Sequence, residues 1–158
     1  MTQISIRKAA PRDVPRVVEL ANALNRFHDK PENFTEHGVR QDLFGPSPAY
    51  DILFAEFGGD VVGYALFHDC YNTDMAARGV WLADIYVTDA ARGHGAGQSL
   101  MAGVARAALD RGAKSVWWGV LSSNVRAREF YARLGAEDED ARILELADDA
   151  LSSVAALV

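Results

Sequence analysis

Helical stretches embedded among β-rich runs predict an α/β (or α+β) domain built on one sheet. Two observations carry that expectation. The run "DILFAEF-GGD-VVGYALF" reads as a β-hairpin about a glycine turn. Residues 79–121 then read as strand, glycine-rich loop, helix and strand, "GVWLADIYV", "RGHGAG", "GQSLMAGVARAALDRG" and "KSVWWGVL". The length of 158 residues suits a single domain spanning 1–158, one that buries ~70 % of its unfolded surface.

The remaining elements follow in order. "ISIRKA" (4–9) alternates as a strand does. From Pro11, the residues Val14, Val17, Val18, Ala21 and Leu24 share one helical face. A short helix is expected in "FTEHGVRQDLF", with Thr35 as its N-cap. In the helix after the glycine loop, Leu100, Met101, Val104, Ala105, Ala108 and Leu109 lie to one side, and Gly112 ends it. Trp117 and Trp118, as neighbours on a strand, point to opposite faces, which places at least one in the core. Asn124 is placed to cap "VRAREFYARL", which Gly135 terminates. The tail "ARILELADDALSSVAALV" reads as a strand followed by a turn of helix.

Composition narrows the function. Hydrophobic residues make up 49 % and charged residues 24 %, an ordinary globular balance. No run approaches the ~18 apolar residues of a membrane span, and the N-terminal residues lack a signal-peptide core. One cysteine, Cys70, excludes internal disulfides and zinc–cysteine sites and fits the cytoplasm, with no metal expected. A net charge of −6 argues against nucleic acid and is compatible with a cationic substrate, although moderate acidity by itself mostly serves solubility.

The loop Arg92-Gly93-His94-Gly95-Ala96-Gly97-Gln98 is the most informative stretch. It breaks G-x-G-x-x-G at Gln98, and it lacks the lysine of a P-loop. A tight turn feeding a helix still aims backbone N–H groups at an anion, and Arg92 adds a cation. On spacing alone, a turn that merely packs helix on strand fits equally well.

That loop resembles the R/Q-x-x-G-x-G/A signature of the GNAT superfamily of N-acetyltransferases. "SSNVRAREFYARLGA" is similar to the family's second segment, with Asn124, Phe130, Tyr131 and Gly135 in register. "FTEHGVRQDLFGPSPAYDILFAE", "LADIYV" and "RLGAEDEDARILEL" look like the diamine (spermidine/spermine and thialysine) branch. The resemblance implies a mixed, mostly antiparallel central sheet, with a parallel pair of strands splayed at the acetyl-CoA site and helices on both faces. It implies coenzyme A held by Ile85, Tyr86 and Val87, by Arg92, Gly93, His94, Gly95, Ala96, Gly97 and Gln98, and by Asn124, Ala127 and Phe130. It also implies a homodimer, to which the apolar spacing of Leu151, Val154, Ala155 and Val158 is suited.

Transfer of acetyl to an amine of pKa ~10.4 needs a deprotonation route, a polarised carbonyl and a proton for the departing thiolate. By resemblance Tyr131 is the general acid, the alternative being that Phe130 and Tyr131 only pack their helix. Asp84, inside an apolar strand, holds the substrate ammonium or accepts its proton through water; the alternatives are a carboxylate on the solvated face or one paired with an arginine. Phe27 and His28 fall where the branch has substrate-facing residues, and His28 is either a base or, as a lone loop histidine, a bystander. Two departures stand out: Ala83-Asp84 replaces the branch's Glu-Asp, and Ala141 replaces an aromatic. The expected activity is direct transfer, in a ternary complex, to a polyamine, diamine or lysine-like amine. A protein-amine or aminoglycoside acetyltransferase, or a non-catalytic acyl-CoA-binding domain, is the alternative.

Overall fold

Gly58 and Gly59 both adopt positive φ, 64° and 92°, and close the central hairpin as a two-residue turn. The hairpin joins strand β2 (Asp51–Phe57) to strand β3 (Asp60–Asn72). In the computed structural model, which describes residues 3–157, the chain divides into two compact units, Met1–Trp118 and Gly119–Val158.

The first unit holds a five-stranded sheet in the order β1-β2-β3-β4-β5. Strands β1 (Ser5–Lys8), β2, β3 and β4 (Ala77–Val87) pair antiparallel, whereas β5 (Ser115–Trp117) pairs parallel to β4. Helices cover both faces. Helix α1 (Val14–Phe27) buries Val14, Val17, Leu20, Ala21 and Leu24 against Ile52, Phe54, Tyr64 and Leu66, joined by α2 (Glu36–Phe44). Thr35 caps α2 as expected, its Oγ1 accepting from Gly38 N at 3.1 Å. Burying each large side chain is worth about 1.5–3 kcal/mol, and that packing holds a helix that would be marginal alone. On the other face, α3 (Ala96–Asp110) packs Ala96, Leu100, Val104 and Ala108 against Leu53, Ala65, Phe67, Val80 and Leu82. Both faces of β2 are thus buried, which is why its sequence is nearly all apolar.

Three sequence expectations are corrected. Leu109 is 66 % exposed and Ala105 is also exposed, because α3 contacts the sheet along the row 96, 100, 104, 108 and these two residues point away from it. Strand β5 is three residues long rather than spanning 114–121.

The third correction lies in the second unit, which contains α4 (Val125–Arg133) and α5 (Asp148–Ala155). The strand expected near 141–147 is absent, and Ile143, Leu144 and Leu146 are exposed. A strand needs a neighbour for its N–H and C=O groups, and no strand is present among the described residues of this unit. Leu151 and Val154 are exposed on α5, and Val158 lies outside the described residues.

Candidate active site

A β-bulge aims Asp84. Leu82 pairs with Phe67 and Asp84 pairs with Leu66, so Ala83 is an extra residue on β4. Up to that point the even residues Val80 and Leu82 face the α3 layer. Beyond it the odd residues Ile85 and Val87 do, while Tyr86 turns to the α1 layer. One inserted residue reverses the alternation, and Asp84 is carried to the α1 side opposite Leu66.

There Asp84 Oδ2 accepts a 2.9 Å hydrogen bond from the hydroxyl of Tyr64, a side chain with 0 % exposure. Burial pushes the Asp84 carboxyl above its usual range; the Tyr64 hydrogen bond and the charge of His28 oppose that rise. Burial, together with the Asp84 charge, raises the Tyr64 phenol, which stays a donor at neutral pH. Neither an arginine pair nor a solvated face describes Asp84. Sequence reasoning missed Tyr64. Strand alternation puts Tyr64 on the same face as Leu66, but its place opposite Tyr86 and beside Asp84 comes from the register between β3 and β4.

The short β5 leaves β4 backbone open. Pairing between β4 and β5 covers Gly79, Val80 and Trp81 only, while β4 runs on to Val87. Thr88 N donates to Val62 O, so the main-chain groups of Tyr86 also face β3 and those of Ile85 and Val87 face the opposite edge. Val87 O accepts from Arg92 Nε at 3.2 Å. The result is an open strand edge that presents the Ile85 and Val87 N–H groups.

The glycine loop follows directly. Gly93 and Gly95 take φ of 82° and 85°, and a Cβ built on either meets nothing within 4 Å. Backbone conformation, not crowding, requires glycine here, and the space over the loop is open. Gly95 is the N-cap of α3, and the helix ladder begins with Ser99 N donating to Gly95 O, leaving upstream N–H groups as first-turn donors. Gly97 and exposed Gln98 belong to that turn, whereas the Ala96 methyl is 2 % exposed in the core and offers only main-chain atoms. His94 Nδ1 lies 3.1 Å from Arg92 O, and its ring sits 5.5 Å from that of Phe57. Arg92 pairs with Asp89 at 2.6 Å, and its guanidinium lies 5.5 Å over the ring of Phe27, at the end of α1. His28 follows, edge-on to Phe27 at 5.2 Å. Open glycines, first-turn donors and an adjoining arginine together fit a pyrophosphate.

The structure thus gathers Phe27, His28, Asp84 and Arg92 within the first unit. In the second, Asn124 caps α4 by accepting from Ala127 N at 3.1 Å, and Phe130 meets Tyr131 edge-on at 5.2 Å. Burial raises the phenol of Tyr131, so it too is protonated at neutral pH.

Comparison with known proteins agrees with this geometry. Residues 15–136 match the acetyltransferase (GNAT) family. A thialysine N-epsilon-acetyltransferase of Bos taurus is 34 % identical over 148 residues, covering 87 % of this chain and 86 % of that protein. An L-ornithine N5-acetyltransferase of Arabidopsis thaliana is 34 % identical over 95 residues, covering 60 % of this chain and 42 % of its own. Among solved structures, an integron cassette protein from V. cholerae superposes with a TM-score of 0.80 at 20 % identity, covering 97 % of this chain and 98 % of that one. An aminoglycoside N-acetyltransferase in complex with CoA gives 0.76 at 18 %, covering 92 % and 95 %, and at that identity shares the fold. With the glycine loop, the mixed sheet, the family match over residues 15–136 and the thialysine acetyltransferase relative in agreement, the chain belongs to the GNAT family and is an acetyl-CoA-dependent N-acetyltransferase.

Proposed function

We propose that this enzyme acetylates the primary amine of a small cationic molecule, of the lysine, ornithine or diamine type, by direct attack in a ternary complex. The observation that carries the reading is Asp84, a half-buried carboxylate turned by the bulge toward the α1 layer and held there by Tyr64. The named thialysine and ornithine acetyltransferases support a substrate of that class, as does a net charge of −6.

Acetyl-CoA supplies an activated thioester. The N–H groups of residues 93–98, with Arg92, bind its pyrophosphate, and Asn124, Ala127 and Phe130 complete the cofactor contacts. The N–H groups of Ile85 and Val87, alongside Tyr86, hold the acetyl carbonyl and the adjoining arm, stabilising the oxygen as charge develops on it. Asp84 binds the substrate ammonium and accepts its proton through water, with Phe27 and His28 lining the acceptor side. As the C–N bond forms and the C–S bond breaks, Tyr131 gives its phenolic proton to the leaving sulfur. Burial raises the Cys70 thiol, which disfavours the thiolate that an acyl-enzyme route requires.

The family match runs from 15 to 136 across both units, which supports one functional domain over 1–158. The exposed Ile143, Leu144, Leu146 and Leu151 support a homodimer, tested by sedimentation. A cytoplasmic location completes the reading.

A thiol-release screen decides the substrate. With acetyl-CoA, turnover is expected on thialysine, lysine, ornithine or diamines. Turnover confined to peptides or aminoglycosides replaces the substrate class, and coenzyme A binding without thiol release on any amine replaces catalysis with a binding role.

A further inference from the structure

Tyr64 has no place in the acetyl-transfer chemistry, yet it is among the largest fully buried side chains and carries a hydroxyl. A phenol at 0 % exposure needs a partner, and Tyr64 uses its single proton on Asp84 Oδ2. The two residues are diagonal neighbours across β3 and β4, since Tyr64 lies opposite Tyr86 and Asp84 opposite Leu66. That diagonal exists only because Ala83 bulges out. Among the described residues, the Tyr64 hydrogen bond is the one made to the Asp84 side chain, so Oδ1 retains its acceptor sites. Asp84 is also the single carboxylate of the segment 79–87, with no second acid to share its role.

We propose that Tyr64 is a positioning residue for Asp84: its buried hydroxyl fixes one carboxylate oxygen and turns the other to the substrate ammonium. The inference rests on the assignment of Asp84 to the acceptor side. Polar groups around the pair are His28 after α1, Tyr86 on β4 and, acting on Tyr64, Tyr50 ahead of β2. His28 draws the Asp84 carboxyl downward together with Tyr64, so loss of the hydroxyl leaves burial less opposed.

Tyr64→Phe keeps the ring and removes the hydroxyl. The acidic limb of its kcat–pH profile is expected to move up by about one pH unit, giving an activity loss of about tenfold on that limb that recovers at higher pH. The KM for the amine rises, and affinity for acetyl-CoA is unchanged. An NMR titration of the Asp84 carboxyl carbon moves in the same direction without any turnover being measured. In an Asp84→Asn background, Tyr64→Phe adds no further loss. Superimposable profiles for wild type and Tyr64→Phe, with Asp84→Asn inactive, overturn the positioning role alone. A fully active Asp84→Asn overturns the assignment beneath it. If Tyr64→Phe does not fold, the wild type still decides: a Tyr64 hydroxyl proton whose NMR shift follows the titration of the Asp84 carboxyl carbon upholds the proposal, and one whose shift is indifferent to that titration overturns it.

Discussion

Arg92 lies over the ring of Phe27, its guanidinium carbon 5.5 Å from the ring centre, and so ties the glycine loop to the end of α1. Residues proposed for opposite substrates therefore touch. An exposed contact of this type is worth about 0.5–1 kcal/mol, a two- to fivefold effect. Phe27→Ala is expected to raise the KM for the amine and, by that smaller factor, the KM for acetyl-CoA. In an Arg92→Ala background the second effect disappears. Initial-rate kinetics over both substrates measure the coupling.

Gly95 separates cofactor binding from folding. Alanine at φ 85° costs about 1–2 kcal/mol, while its Cβ meets no protein atom. Gly95→Ala is expected to lower Tm by a few degrees but to weaken coenzyme A binding by about tenfold or more, because the methyl occupies the space open to the pyrophosphate. Calorimetric titration beside thermal melts gives both numbers. Equal affinity removes the loop from the cofactor site.

Tyr131→Phe is expected to reduce kcat by about 100-fold or more and leave affinity for acetyl-CoA unchanged, the signature of a lost proton donor. The raised phenol keeps wild-type Tyr131 protonated well above neutral pH, so its loss of activity falls only on the alkaline side. Unaltered turnover assigns Tyr131 to packing.

Asp84 sets stability against activity. Its carboxyl is raised in the fold above the unfolded value of about 4, so folding favours the protonated form. The stability this group contributes is present below about pH 4 and is lost as pH rises through the folded value. Asp84→Asn keeps an acceptor for Tyr64 and discards the buried charge. At pH 7 a higher Tm and about 100-fold lower kcat are expected, the gain in Tm shrinking as pH falls toward 4. Thermal melts at both pH values, read beside turnover, test it.

Local rules were enough for the elements whose signals are local. The glycine pair marked the hairpin, Thr35 marked the start of α2, and Val14, Val17, Ala21 and Leu24 marked a buried face. The row 96–108 of α3 was only partly legible, since Leu109 satisfies an apolar pattern yet points to solvent. The tail misled for a related reason. Ile143, Leu144 and Leu146 have strand-like composition, but a strand exists only where another strand completes its hydrogen bonds.

By itself, the sequence determined the order of helices and strands as far as α4 and the tight turn of the glycine loop, because backbone conformation and helix termini are properties of short segments. Only tertiary structure decided where Asp84 points. Its direction depends on the register between β3 and β4, on Ala83 standing outside that register, and on a buried phenol twenty residues away. No periodicity in a single strand reveals a bulge, since a bulge is defined by the partner it fails to pair with.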